Sequence, residues 1–394
     1  MSHAGLAAEV DALLRTYPPG SASDTDLRHA RFDAGLAIVH FRVGDGGRGL
    51  DPALQTIVES QFLAAGAVDW WERNALGLGM AAPTIHEHGT EEQRLRWLRP
   101  LFAGEEIWCQ LFSEPGAGSD LAALSTSARR DGDEWIVNGQ KVWTTLGHVA
   151  DWGLLVARSD PSVPKHRGLT YFCLDMHARG VDVRPLRQLT GDAEFNEVYL
   201  TDVRIPDAHR LGEEGDGWRV AMTTLMNERV SIGESTEARG EGPIASAVDA
   251  YRNRVAARGQ DAVGRDWLMQ LWIAAETARL TNLRAAAHRA GVPGPEGSVA
   301  KLQMAELNQA IFELCLHFLG ADATLVSTYE MTRPEIAATR GNSDLVKSFL
   351  RSRANSIEGG TSEILRNILG ERVLGLPPEP RADKDIPWNA VPRS

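Results

Sequence analysis

The chain has 394 residues, 43% hydrophobic and 24% charged, enough for two or three packed domains of ordinary globular composition. A formal net charge of −12 and the lack of a local basic patch argue against a nucleic-acid surface. The three cysteines, Cys109, Cys173 and Cys315, are odd in number and far apart, which fits neither a disulfide framework nor a zinc ribbon. No apolar leader-like run opens the chain and no run is long enough to span a bilayer, so a cytoplasmic enzyme or assembly subunit is expected.

Residues 6–14 read as a short amphipathic helix that Pro18-Pro19-Gly20 stops. Residues 36–43 look strand-like. The run after them, Gly44-Asp45-Gly46-Gly47-Arg48-Gly49, matches G-x-G-x-x-G ahead of a helix expected over 52–63. A dinucleotide fold would need a second parallel strand soon after, carrying an acid for the ribose. Trp70-Trp71-Glu72-Arg73-Asn74 and glycine-rich turns follow instead, so the run reads as a tight turn between helices. Further helices are expected over 84–88 and 90–98, with Thr90 as N-cap. His86 and His88 are two apart, on different helix faces, with no third ligand nearby. They read as surface or packing histidines rather than a metal site.

From residue 108 the period changes to that of strands. Residues 125–130 alternate and end at Asp131-Gly132-Asp133; 135–137 are β-prone; Asn138-Gly139 signals a hairpin with 140–145 as the partner strand. Strands are also expected over 152–157, 169–174, 181–184 and 195–200. That spacing predicts a small antiparallel barrel or sandwich, closed by Pro206 and the Gly212-Glu213-Glu214-Gly215-Asp216-Gly217 run. One long helical pattern then covers 218–237 and breaks at Gly240, Gly242 and Pro243. Helices follow over 244–257, 266–289, 298–319 and 345–355, and a last one from about 361 to 373, before Pro377-Pro378 and a polar tail. The expected domains are an N-terminal helical domain (1–107), a central antiparallel β-domain (108–213) and a C-terminal helical bundle (214–394).

Four segments occur in a fixed order: Gln110-Leu111-Phe112-Ser113-Glu114-Pro115-Gly116-Ala117-Gly118-Ser119-Asp120, Asn138-Gly139-Gln140-Lys141-Val142-Trp143-Thr144-Thr145, Asn227-Glu228-Arg229, and Gly359-Gly360-Thr361-Ser362-Glu363-Ile364. Together they resemble the acyl-CoA dehydrogenase family over nearly the whole chain. The resemblance implies a multi-domain α and β fold with a C-terminal four-helix bundle, FAD as cofactor, an acyl-CoA substrate, electron-transfer flavoprotein as electron acceptor, and assembly into dimers or tetramers. It also implies the reaction: a carboxylate takes the α proton of the thioester while the β hydrogen leaves as hydride to the flavin. That chemistry needs a polarised thioester carbonyl, a close carboxylate in an apolar pocket, and a redox cofactor. By the resemblance, the flavin is met by Leu111, Ser113, Gly118, Ser119, Trp143, Thr144, Thr145, Thr361, Ser362 and Glu363. The acyl-CoA is met by Ser119, Asn227, Arg229, Gly359 and Gly360.

The family carries its catalytic glutamate in one of two places. The one just before the Gly-Thr of the C-terminal motif is Gly359 here; the other, on a bundle helix before an arginine as in isovaleryl- and long-chain-type members, is Glu228. Glu228 is therefore the expected base. Glu358, one residue from the lost position, is the rival. Two family stretches are broken. Arg-x-x-Phe-Gly, counted from Tyr251, has Val255 and Arg258 in place of the arginine and phenylalanine and keeps only Gly259. Gln-x-x-Gly-Gly-x-Gly reads His317-Phe318-Leu319-Gly320-Ala321-Asp322-Ala323. In the family both reach the FAD of a neighbouring subunit. Altered flavin binding, weak binding, or pairing with a related subunit would each account for the losses. A flavin-poor partner subunit and a flavin monooxygenase or nitroalkane-oxidase-like relative are the alternatives to a self-sufficient dehydrogenase.

Overall fold

The structure is a computed structural model that describes residues 3–69, 71–233, 238–288, 296–328, 330–336, 344–380 and 383–392, by backbone alone at 72, 229–233 and 286–288. The N-terminal part holds helices α1 (His3–Thr16), α2 (Asp24–Asp33), α3 (Gln55–Ala64), α4 (Ala82–His88) and α5 (Glu91–Ala103). The sequence reading lacked α2, whose stretch DTDLRHARFD buries only Leu27 and Phe32; so thin an apolar stripe gives a weak helical period. Ser23 caps it, its hydroxyl accepting from the Asp26 amide. Thr90 does cap α5, through a reciprocal box with Gln93.

Residues 36–43 do not form a strand. The amides of Ala37 and Ile38 donate to the Gly46 carbonyl, and a Cβ on Gly47 would lie 2.3 Å from the Phe41 carbonyl oxygen. The glycine run is a tight turn that folds Leu36, Val39 and Phe41 into the helical core. His86 stacks on Phe41 at 4.0 Å and bonds Asp45, and His88 bonds Thr223.

Eight strands follow: β1 (Trp108–Leu111), β2 (Ser127–Asp131), β3 (Glu134–Thr145), β4 (Trp152–Arg158), β5 (Leu169–Asp175), β6 (Val181–Pro185), β7 (Phe195–Pro206) and β8 (Arg210–Leu211). The sheet runs β6-β7-β3-β2-β4-β5-β8, with β1 added to β4. It is mostly but not wholly antiparallel: β1 and β2 both meet β4 in parallel. Period-two alternation divides two cores. Trp152, Leu154 and Val156 of β4, with Leu169, Tyr171 and Cys173 of β5, face the helices. Leu155, Ala157, Phe172 and Leu174 face inward, against Trp135 and Val137 of β3 and Val198 and Ile205 of β7.

Asn138-Gly139 is not a hairpin turn. β3 runs straight through it, and the turn lies at Gly132-Asp133, where Asp131 pairs Glu134. Asn138 instead faces an extra residue of β7, Asp202, whose φ is +49°. Its side chain donates to the Asp202 carboxylate (3.0 Å) and accepts from the Asp202 amide (2.9 Å). Gly139 is needed there because a Cβ would sit 2.3 Å from Thr126 Oγ1. A pair that suits turns has been used to lock a bulge.

The C-terminal part comprises α6 (Gly217–Gly233), α7 (Pro243–Arg258), α8 (Ala262–His288), α9 (Glu296–Leu319), α10 (Leu345–Ser352) and α11 (Ser362–Ile368). The ends expected at 237 and 289 lie outside the described residues. α9 packs against α6, α7, α8 and α10, around Ile244, Leu268, Ile311, Leu314 and Phe318. α10 ends at Ser352 and passes through a 3-10 turn, Arg353–Ser356, before α11. The tail returns to the central sheet, where Trp388 Nε1 donates to the Ala123 carbonyl (3.1 Å) and Arg158 lies 4.4 Å over the indole. No described helix is long and apolar enough to cross a membrane.

Candidate active site

A cavity of about 1380 Å³ lies where the end of the sheet meets α6, α9, α10 and the start of α11. It exceeds the roughly 300–1,000 Å³ typical of a small-molecule pocket. Its wall brings together Gln110, Ser113, Gly118, Ser119, Trp143 and Thr145 from the central domain, Glu228 from α6, and Glu358, Gly359, Gly360 and Thr361 from far downstream.

The first wall is a turn held from beneath. Glu114 and Ala117 exchange two backbone hydrogen bonds of 3.0 Å across Pro115-Gly116. The buried Glu114 carboxylate accepts from the Ser125 (2.6 Å) and Thr126 (2.8 Å) amides and from Lys141 Nζ (2.9 Å). Lys141, with no exposed surface, also donates to the Phe112 carbonyl. Burial pushes the Glu114 carboxyl upward, but Lys141 and the bonds from Thr126 and Ser125 outweigh it and hold it below its usual value. Burial lowers the Lys141 ammonium, opposed by Glu114. Since the Val142 amide donates to the Ser113 carbonyl (2.9 Å), this pair sets the loop against β3.

β3 then slips register against β7 between Lys141 and Thr144. At the slip Trp143 takes φ +61°, a conformation rare for a bulky residue and found where a side chain is re-aimed. The residue is 58% exposed on the cavity wall, its ring edge-on to Phe195 at 5.8 Å. Thr145 lines the cavity; Thr144 does not, being wholly buried with its carbonyl accepting from Asn196 Nδ2 (3.1 Å). Leu111 is likewise away from the cavity, in the core between the sheet faces.

On α6, Glu228 receives a long hydrogen bond from Gln110 Nε2 (3.4 Å). Asn227 turns back along its own helix to donate to the Thr223 carbonyl (2.9 Å) and does not line the cavity. The Arg229 side chain lies outside the described residues. The Glu358 carboxylate is gripped by Arg351 through two bonds, 3.0 and 2.9 Å, and by Asn355 Nδ2 at 2.7 Å. Gly359 and Gly360 follow at φ +61° and +94°. The Thr361 hydroxyl caps α11 by accepting from the Ile364 amide (3.1 Å). Ser362 is buried beside it and Glu363 is exposed; neither lines the cavity.

Several groups that shape the site were not singled out from the sequence: Gln110, the Glu114–Lys141 pair, Arg351, and Lys301 of α9, whose Nζ donates to the carbonyls of Asn355 (2.7 Å) and Gly360 (2.6 Å). Gln110, Glu114 and Lys141 sit inside the quoted motifs, where their position was the available signal. Arg351 and Lys301 lie on unremarkable helical stretches.

The wall suits a large planar cofactor such as FAD. A Cβ on Gly118 would meet no atom within 4 Å. Trp143 is exposed on the wall, Thr145 lines it two residues on, and the Gly359 and Gly360 amides donate to no acceptor among the described residues.

Three family models match the chain: acyl-CoA dehydrogenase, N-terminal domain, over residues 6–105; middle domain, over 109–203; and C-terminal domain, over 215–374. Among curated proteins, acyl-CoA dehydrogenase FadE34 of Mycobacterium tuberculosis is 37% identical over 95% of this chain and 49% of its own length. The chain thus spans about half of that relative. Acyl-CoA dehydrogenase IpdE1 of the same organism is 37% identical over 88% of this chain and 86% of its own. Among solved structures, the ChsE4-ChsE5 complex from Mycobacterium tuberculosis aligns with a TM-score of 0.69 at 28% identity, covering 96% of this chain and 97% of that one. A glutaryl-coenzyme A dehydrogenase complex with glutaryl-CoA shares the fold with a TM-score of 0.68 at 21% identity, over 98% of each chain.

Proposed function

Because the chain belongs to the acyl-CoA dehydrogenase family, we propose that it catalyses FAD-dependent α,β-dehydrogenation of an acyl-CoA thioester, with Glu228 as the base. One observation carries the choice of base. Both carboxylates line the cavity, but Glu358 is bound on both oxygens by Arg351 and on one also by Asn355. A carboxylate so held is an ion-pair member, and proton abstraction would have to break charge-assisted bonds first. Glu228 enters the cavity from α6 at the place where isovaleryl- and long-chain-type members carry the base, and Gln110 Nε2 (3.4 Å) is among its partners.

In this reading Trp143 and Thr145 hold FAD on the sheet side, with the Ser113–Gly118–Ser119 loop beside them. When bound, FAD supplies the acceptor for the β hydrogen, which leaves as hydride. The Gly359 and Gly360 amides, unpaired among the described residues, donate to the thioester carbonyl, and that polarisation acidifies the α carbon. Glu228 takes the α proton onto its carboxylate. Leu225, one turn before Glu228 on α6, and Phe112 line the same wall and keep water from the carbon being deprotonated.

Glu228→Gln keeps the shape and removes the basicity. It is expected to retain flavin and to lose reduction by acyl-CoA about a thousandfold, read as anaerobic bleaching of the flavin band. Bleaching at the normal rate would overturn the assignment.

A second reading has its own support. The two stretches expected to reach a neighbour's flavin are altered, and here they meet each other and the bundle: a Cβ on Gly320 would lie 3.5 Å from Arg258 Nη1 and His317 packs on Trp267, while just before the first stretch Arg254 pairs with Asp261 (3.2 Å). The similar ChsE4-ChsE5 structure is a complex of two proteins. We therefore infer that this chain pairs with a related, non-identical subunit that completes the flavin site, with electron-transfer flavoprotein as the acceptor of the electrons.

A further inference from the structure

The segment 358–361 combines looseness with anchorage. Gly359 and Gly360 both take left-handed φ, and a glycine pair is the least restrained backbone a chain can offer. Yet each side of the pair is tied down. Upstream, Glu358 is gripped by Arg351 and Asn355. Arg351 in turn donates through Nε to Glu194 (3.2 Å), a side chain almost wholly buried just before β7. The guanidinium also lies 5.5 Å over Phe195, the ring that meets Trp143 edge-on. Downstream, the fully buried Lys301 holds the Gly360 carbonyl and, through Asn355, the turn before it, while Thr361 caps α11. The two amides between these anchors have no acceptor among the described residues and border the cavity.

We propose that Glu358 is a positioning residue: clamped by Arg351 and Asn355, and with Lys301 on the other side, it freezes the Gly359-Gly360 amides as donors to the thioester carbonyl. The inference rests on the dehydrogenase reading, in which Glu228 is the base. The carboxylate one residue from the family's usual acid does no proton transfer; it restrains the backbone that does the polarising. Because Arg351 also spans to Glu194 and Phe195, the clamp fixes the donors relative to the wall that carries Trp143. A donor misplaced by about 1 Å can cost about a hundredfold in rate.

The test pairs kinetics with a vibrational probe. Glu358→Gln removes the charge, but Arg351 keeps Glu194 as partner, so the guanidinium is not left unpaired. It is expected to lower kcat about tenfold to a hundredfold with KM little changed. In a Glu228→Gln background, where bound acyl-CoA is not consumed, isotope-edited infrared reads the thioester C=O stretch directly. Adding Glu358→Gln should move that stretch up towards the free thioester, and Lys301→Met should move it the same way. Unchanged kcat and an unchanged stretch in both variants would overturn the positioning role and leave Glu228 as base. Complete loss of flavin bleaching in Glu358→Gln, with bleaching kept in Glu228→Gln, would instead overturn the dehydrogenase assignment of Glu228 together with this role.

Discussion

Lys141 and Glu114 sit in two separate motifs and meet in the interior, one fully buried and the other 8% exposed. Breaking such a pair from one side costs more than the pair contributes, because the remaining charge is left without a partner in a medium that solvates it poorly. Lys141→Met is therefore expected to destabilise the chain by about 3 kcal/mol, measured as a lower midpoint of chemical unfolding. Lys141→Met combined with Glu114→Gln should recover part of that loss. The Ser113–Ser119 wall stands on this pair, so the single variant should also weaken flavin retention. A loss equal in the single and double variants would show that packing, not charge pairing, dominates at this point.

At the scale of elements, the strand ends near the β2–β3 turn are tied by Asp207, just after β7. Its carboxylate accepts from Arg210 Nε (2.8 Å), Trp135 Nε1 (2.7 Å) and Arg130 (3.2 Å). The Arg210 bond, with Trp135 and Arg130 and against partial burial, brings its pKa down to about 2. A carboxyl depressed on folding adds stability that is fully present above its unfolded value, about 3.9, and that is lost as pH falls through the folded one. Acid unfolding should therefore steepen between about pH 4 and 2, and Asp207→Asn should flatten that limb while lowering the plateau near neutrality. The same region holds the clearest misreading at this scale. Asn138-Gly139 has the composition of a two-residue turn, but neither residue takes positive φ; the bulge at Asp202 does. Local composition states what a dipeptide tolerates, and pairing with β7 decides how it is used.

For the molecule as a whole, the proposed pairing with a non-identical subunit makes a measurable prediction. Expressed alone, the chain should purify with flavin well below one per protomer, quantified against protein by its visible absorption. Co-expression with the related subunit should raise flavin to a fixed stoichiometry and give a larger species by light scattering. Full flavin occupancy and acyl-CoA turnover in the isolated chain would refute the pairing and leave the self-sufficient dehydrogenase.

The helix–sheet–helix order and most strand positions were legible in the chain, because hydrophobic period and local glycine or cap chemistry act over a few residues; Ser113, Gly118, Ser119, Trp143, Thr145, Glu228 and Thr361 were offered by the family resemblance alone, and the fold brings them to one cavity wall. The same signals could not reveal α2, whose apolar stripe is only two residues wide, nor β1 and β8, which are too short to show a period. What only the tertiary structure decided are the contacts between distant segments: Lys141 with Glu114, Lys301 with Gly360, and Arg351 bridging Glu194 and Glu358. Motif position told Glu228 and Glu358 apart in the sequence, but the partners that hold Glu358, Arg351 and Asn355, could not be read there, because they are set by the fold.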